Sequence, residues 1–313
     1  MRNPFARLTR AGVVGMNLRN ADYVLPNNPR ERYPLVDDKF ITKELAVAAG
    51  LNVPELYGVV RAPHEVRDVP HMLEGHDAFV VKPARGSGGN GILVVSDRLG
   101  TRFRKPDDSL VAMDEIFFHV SNILSGMYSL GGMPDKALIE YCVRFDPVFD
   151  EIAYQGVPDI RIIVYKGVPV MAMLRLPTRE SDGKANLHQG AMGCGVDIVS
   201  GVTTTAVWKN RTVEQHPDTL KPVAGVAIPG WTELLRQASL GYDVTGLGYL
   251  GVDFVLDRDR GPLMLELNAR PGLAIQIANL SGLRPRLDCV DAAIENLHDV
   301  EERVAYAMRA FGS

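Results

Sequence analysis

The chain has 313 residues, 34 Lys and Arg against 38 Asp and Glu, a net charge of −4, and 46% hydrophobic residues. That length suits two lobes, and so mild a charge argues against general nucleic-acid affinity and against an electrostatic membrane anchor. Cys142, Cys194 and Cys289 lie far apart without metal-binding spacing, which fits a reducing cytoplasm, and neither a signal-peptide pattern nor an apolar run of about 18 residues is present.

Residues 1–36 read as an arm, because Pro26, Pro29 and Pro34 forbid a long helix. Arg19, Arg30 and Arg32 would meet an acidic partner or lie in a solvated arm packed on the body. Asp37 as N-cap and Gly50 as terminator predict a helix between them. Phe40, Ile41, Leu45 and Ala48 share its inner face, with Lys39 and Lys43 pointing elsewhere.

A strand over 78–82, ending at Lys82, enters a loop containing Gly86, Ser87, Gly88 and Gly89, and a second strand over 91–95 leaves it. Neither a Walker A pattern nor a dinucleotide fingerprint fits, since no helix follows. Bare backbone N–H groups in such a flap can close on phosphate oxygens, with Lys82 beneath them. The plainer alternative is a flexible hairpin turn.

A polar stretch from Asp97 leads to a predicted helix over 109–127, with Leu110, Met113, Ile116, Phe117, Val120 and Leu124 as its core stripe and His119 at its surface. A short apolar strand carries Glu140, and the irregular stretch after it reads as a hinge. The next hairpin turns at Lys166-Gly167 and puts Asp159, Arg161, Ile163 and Tyr165 on one face. Residues 180–195 read as a ligand-contacting loop with Asn186 and His188. Short strands around 208–212, a helix over 230–242 and C-terminal helices complete the series.

Residues 250–270 carry the sharpest signal. Folded as a hairpin at Asp259-Arg260, they set Asp253 opposite Glu266, Val252 opposite Leu267, Phe254 opposite Leu265, and Leu256 opposite Leu263. Asp253, Glu266 and Asn268 then share one face. Opposed carboxylates repel, and a hard cation, Mg²⁺ or Mn²⁺, between them would relieve this. A sheet with one solvated face is the alternative.

The ordered segments VVKPARGSGGNGI, IEYC, DIRIIV, NLHQGA, GVDFVL and LELNARPGL resemble the ATP-grasp superfamily, and more closely its α-L-glutamate ligase, RimK-like branch. The resemblance runs from about Asp37 to about Leu280. It implies an α+β fold in which two lobes with antiparallel sheets grip ATP. Lys39 and Lys82 match the lysines on the nucleotide phosphates, and Gly86, Ser87, Gly88 and Gly89 match the phosphate loop. Glu140, Tyr141 and Cys142 match the adenine hinge, which acts largely through backbone. Asp253, Glu266 and Asn268 match the metal ligands. Asn186 matches a residue near the transferring phosphate, and Arg161, Arg175 and Arg270 match cations near the acyl phosphate and acceptor. Asp146 stands where a substitute for the family's ribose-binding acid would be.

The resemblance further implies ATP- and Mg²⁺-dependent joining of a carboxylate, such as glutamate, to an amine on a peptide, protein or small molecule. A kinase on the same scaffold and a non-catalytic nucleotide sensor are the alternatives. The division it suggests is an arm (1–36), a first lobe (37–139) and a second lobe (140–313). On this reading the α/β domain that precedes the nucleotide lobe in related ligases would here be reduced to the arm. The acceptor pocket would therefore be completed by that arm, by a second copy or partner subunit, or by the acceptor itself.

Overall fold

The computed structural model describes residues 4–86 and 88–312, in two compact units. The smaller comprises Asp37–Lys43 and Val53–Arg144. The larger comprises Met1–Val36, Glu44–Asn52 and Phe145–Ser313.

The smaller unit contains β1 (Leu56–Val60), β2 (Phe79–Pro83), β3 (Leu93–Val95), β4 (Asp97–Leu99), β5 (Arg102–Arg104), β6 (Leu110–Ala112) and β7 (Ala137–Tyr141). Among the described residues these form an antiparallel sheet ordered β1-β7-β2-β3 and a small sheet ordered β4-β5-β6. The strand carrying Glu140 is therefore central in this unit, which the chain leaves after Arg144.

Helix α1 (Lys39–Ala48) enters this unit, and α2 (Met113–Leu124) packs within it. Ile116, Val120 and Ile123 recur at helical spacing and are fully buried with Phe79, Val81 and Ile139. Each such side chain contributes about 2 kcal/mol of burial. The predicted helix from 109 starts later than expected. Leu110 lies in a strand, and the polar stretch before it also forms strands. At three residues each, those strands are too short to show an alternation.

The larger unit is built on β8 (Asp159–Tyr165), β9 (Val168–Leu176), β10 (Met192–Val196), β11 (Thr203–Trp208), β12 (Arg211–Val213), β13 (Tyr249–Asp257) and β14 (Gly261–Asn268). The order is β12-β11-β10-β9-β8-β13-β14, antiparallel throughout. The loop expected over 180–195 gives way to strand at Met192. The turn at Lys166-Gly167 is as expected, with both residues at positive φ (49° and 82°).

Helices α3 (Trp231–Thr245), α4 (Arg284–Ala293) and α5 (Val300–Ala310) pack on this sheet. Gly241 of α3 lies against Leu250, Val252 and Leu267. Asp253 and Glu266 have the opposite parity, so they point away from that helix.

The N-terminal stretch packs on the body of the larger unit. It folds into short helical pieces, among them Arg19–Val24 and Leu25–Asn27. Buried Asn28 donates to Tyr249 O (2.8 Å) and Ala269 O (2.9 Å) and accepts from Tyr249 N (2.8 Å). Arg19 donates to Pro271 O (2.8 Å), and Arg32 donates to Thr245 O (3.0 Å) at the C-terminal end of α3. A cation there suits the helix dipole.

Buried His216 fixes the segment after β12. Its Nε2 bonds Pro177 O (2.9 Å), while Nδ1 faces the N–H groups of Asp218 (3.2 Å) and Thr219 (3.3 Å). The ring is thus neutral, with its proton on Nε2. Burial lowers its pKa, against the pull of Pro177 O and Asp218. The unfolded ring titrates near about 6.5, so this stabilisation is complete above that pH and is lost as pH falls through the folded pKa. Thermal unfolding of wild type and His216→Asn between pH 8 and 5 checks this, on the order of 1 kcal/mol being at stake per pKa unit. The gap between the two proteins is expected to narrow on acidification, and a constant gap would refute the assignment.

Candidate active site

In the smaller unit the base of the glycine loop is held from several directions. Asp38, one residue later than expected, is the N-cap of α1: its Oδ1 accepts from Phe40 N (3.0 Å) and Ile41 N (3.4 Å). Its Oδ2 pairs with Lys136 (3.1 Å) and Arg85 (3.4 Å). Ala84 O accepts from Lys39 N (2.9 Å), and Arg85 N donates to Asp135 Oδ2 (2.9 Å). Lys39 Nζ donates to Gly86 O (2.7 Å). Gly88 and Gly89 have φ of 64° and 79°, which L side chains rarely adopt. Ser87 lies outside the described residues.

Beneath this loop is a charge cluster that the sequence reading missed. Glu140 accepts from Lys43 Nζ on Oε2 (2.5 Å) and from Lys82 Nζ on Oε1. Lys43 also donates to Pro54 O. All three side chains are at most 8% exposed. Burial raises the Glu140 pKa, but Lys82 and Lys43 outweigh it and keep the group ionised. Burial brings Lys43 down to about 8 even beside Glu140, since one carboxylate must serve two ammonium groups.

The Glu140 carboxylate is thus the shared ion-pair partner of both lysines. Lys43 lies on the buried face of α1, contrary to expectation. Its spacing of four residues from Lys39 was the available signal. Tyr141 N donates to Glu55 O (2.8 Å), and Cys142 follows half-buried.

In the larger unit the acidic hairpin has the expected register at its site end, with Gly251, Val252 and Asp253 opposite Asn268, Leu267 and Glu266. The far end differs. Phe254 faces Met264 and Leu256 faces Pro262, because a bulge at Leu265 shifts the pairing. The turn is three residues, Arg258–Arg260, followed by Gly261 at φ 70°. Asp257 Oδ1 steadies it by accepting from Asp259 N and Arg260 N (both 2.9 Å).

The repulsion expected between the opposed acids is relieved by arginines. Arg161 grips Asp253 with Nε on Oδ1 (2.7 Å) and Nη2 on Oδ2 (2.5 Å). Arg175 Nη2 adds a bond to Asp253 Oδ2 (3.0 Å) and another to Asp159 Oδ2 (2.5 Å), and its Nε pairs with Asp159 Oδ1. Burial raises the Asp253 pKa, yet Arg161 and Arg175 hold it well below the usual carboxylate range. Asp159 shares Arg175, and burial with the neighbouring charge of Asp253 pushes it up to about 7.

Asn268 Nδ2 bridges Asp253 Oδ2 (3.2 Å) and Glu266 Oε1 (3.3 Å). The three side chains expected to ligate metal therefore converge. Their donor set is oxygen only once the amide is turned over, and Oδ1 of Asp253 carries a single one of these bonds, so the residues fit a hard divalent cation.

The remaining site candidates have local partners. Asn186 Oδ1 accepts from His188 N (3.0 Å), capping Leu187–Gln189. Asp146 Oδ1 accepts from Val148 N (2.9 Å), capping Pro147–Phe149. Exposed Arg270 stacks on Tyr33, its Cζ 4.8 Å from the ring centre.

The family model described as "Sugar-transfer associated ATP-grasp" matches residues 18–292. The chain belongs to that family. This ATP-grasp protein is 25% identical over 236 residues to a probable alpha-L-glutamate ligase of Klebsiella pneumoniae, covering 75% of this chain and 56% of the relative. It is 23% identical over 236 residues to a ribosomal protein bS6–L-glutamate ligase of Shigella boydii, again covering 75% and 56%. The ATP-grasp chain thus spans little more than half the length of these curated relatives. Among solved structures, D-alanyl-alanine synthetase A of Vibrio cholerae superposes with a TM-score of 0.47 at 13% identity, covering 90% of this chain and 66% of that one. Among the described residues no helix is long and apolar enough to cross a membrane.

Removing Arg161 takes two charged hydrogen bonds from Asp253 but leaves Arg175 on its Oδ2, so the carboxylate keeps a partner. Arg161→Met is expected to lower stability by about 1.5 kcal/mol in urea unfolding, the size of a hydrogen bond to a charged group. A loss below about 0.5 kcal/mol, the size of a surface pair, would show that Arg161 does not hold Asp253.

Proposed function

We propose that this ATP-grasp protein is an ATP- and divalent-metal-dependent carboxylate–amine ligase, adding glutamate or another amino acid to a peptide, protein or small amine. The observation that carries this reading is the convergence of Asp253, Glu266 and Asn268 on one face of the hairpin. The curated relatives named as glutamate ligases support the same chemistry. The family's description as sugar-transfer associated brings amino sugars into the acceptor screen.

In this reading Lys39, Lys82 and the loop of Gly86, Gly88 and Gly89 take the nucleotide phosphates, and Glu140, Tyr141 and Cys142 line the base. Asp253, Glu266 and Asn268 would hold Mg²⁺ or Mn²⁺, which when bound neutralises phosphate oxygens. The substrate carboxylate attacks the γ-phosphorus of ATP, an O–P bond forms and ADP departs. The amine nitrogen then attacks the acyl carbon, inorganic phosphate leaves, and the amine proton passes to solvent.

The protein's contribution is position and charge, with no side-chain nucleophile. Arg161 Nη1 and Arg175 Nη1 take no part in the bonds to Asp159 and Asp253, and are the atoms assigned to the acyl phosphate.

The test is phosphate release from ATP with paired acids and amines, with the product identified by mass. An amide product with free phosphate supports the ligase, and a phosphorylated acceptor would replace it with a kinase. Glu266→Gln is the cleaner metal-site variant, because Asp253 also anchors two arginines. It is expected to cut turnover by a factor of roughly 100 or more while the unfolding midpoint stays within about 3 °C. Full turnover in that variant would end the metal assignment.

A further inference from the structure

Glu140 has two carboxylate oxygens and two lysines, one on each. The two lysines are not equivalent. Lys82 lies at the end of β2, where the chain enters the glycine loop. Lys43 lies on α1, and its ammonium is held a second time by Pro54 O.

Lys82 has three N–H donors, but to meet a phosphate that lies beyond reach of its place on Glu140 its ammonium has to let go of the carboxylate. A buried carboxylate left with no partner costs several kcal/mol. With Lys43 in place Glu140 keeps a partner when Lys82 moves, and without Lys43 the same movement strands it.

We infer that Lys43 is a positioning residue whose hold on Glu140 leaves Lys82 able to turn its ammonium to a nucleotide phosphate. This rests on Lys82 being a phosphate ligand, as proposed above. Lys43 touches neither the phosphate nor the reacting atoms in this role. It acts on affinity for the phosphate chain and leaves affinity for the base alone.

Calorimetric titration of the full chain with ATP and with adenosine, in the presence of Mg²⁺, separates these effects. Lys43→Met is expected to weaken ATP binding at least about tenfold while adenosine binding stays within about threefold. Lys43→Arg, which keeps the charge, restores ATP binding. Adding Glu140→Gln to Lys43→Met removes the stranded carboxylate, so the ratio of ATP to adenosine affinity returns toward the wild-type ratio. Lys43→Gln can still donate to Glu140, gives a smaller loss in the same direction, and serves where the methionine variant does not fold.

Equal losses for ATP and adenosine would mark Lys43 as structural only and overturn the inference. So would a double variant whose ratio is no better than that of Lys43→Met. Unchanged ATP binding in folded Lys43→Met overturns the inference alone. Failure of the wild-type chain to bind ATP overturns the assignment of Lys82 first, and the inference with it.

Discussion

A carboxylate that is taken out of water inside a sheet has to be matched there, and in this protein the match between Asp253 and its two arginines fixes much else. The three residues come from three adjacent strands. Asp253 faces Arg161 across β13 and β8, and Arg175 faces Asp159 across β9 and β8. A slip of one residue between any two strands would turn a charge toward the apolar face beneath α3 and bring an aliphatic side chain up among the acids. The ion network and the hydrophobic core therefore demand the same register. This agreement gives the middle of a long antiparallel sheet a single pairing.

The two units treat buried charge with opposite sign. Among the groups described, the larger unit sets Asp159, Asp253 and Glu266 against Arg161 and Arg175, an excess of one acid that is a full negative charge only above about pH 7, where Asp159 is ionised. The smaller unit sets Glu140 against Lys43 and Lys82, an excess of one positive charge. Each cluster is close enough to neutral to be buried and is left with the sign that attracts its proposed ligand, a cation in one case and phosphate in the other. The low pKa of Asp253 and the lowered pKa of Lys43 have different causes: burial is outweighed by two arginines at Asp253, whereas burial and the charge of Lys82 outweigh Glu140 at Lys43. A carboxylate with two arginines is over-served, and an ammonium that must share its carboxylate is under-served.

Much of this could be read from sequence because it is periodic or local. The acidic hairpin, the turn at Lys166-Gly167, the strand before the glycine loop and the stripe on α2 all follow from alternation, helical spacing or turn chemistry. What could not be read depends on partners far away in the chain. The N-terminal stretch looked like an arm because its prolines break helices. Asn28 nevertheless finds Tyr249 and Ala269, more than two hundred residues on. Lys43 stood off the predicted inner face of its helix, and its partner Glu140 lies in a strand that read as nearly continuous apolar residues. Strands β4, β5 and β6 were invisible because three residues carry no period.

The bulge at Leu265 was also out of reach, and it matters to the site. Alternation predicts one register along a whole hairpin, but two constraints act on this one. At its open end, β8 fixes β13 through Asp253 and Arg161, and Asn268 bridges Asp253 and Glu266, which stand opposite each other. At its closed end, Asp257 fixes a three-residue turn through Asp259 N and Arg260 N. A single continuous register through Asp253 and Glu266 would need an even-numbered turn. The extra residue absorbs the difference, and it lies immediately turnward of the Asp253–Glu266 pair. Bulges concentrate beside functional side chains for this reason: they let the geometry of a site be set by its own contacts while the loop beyond satisfies its own.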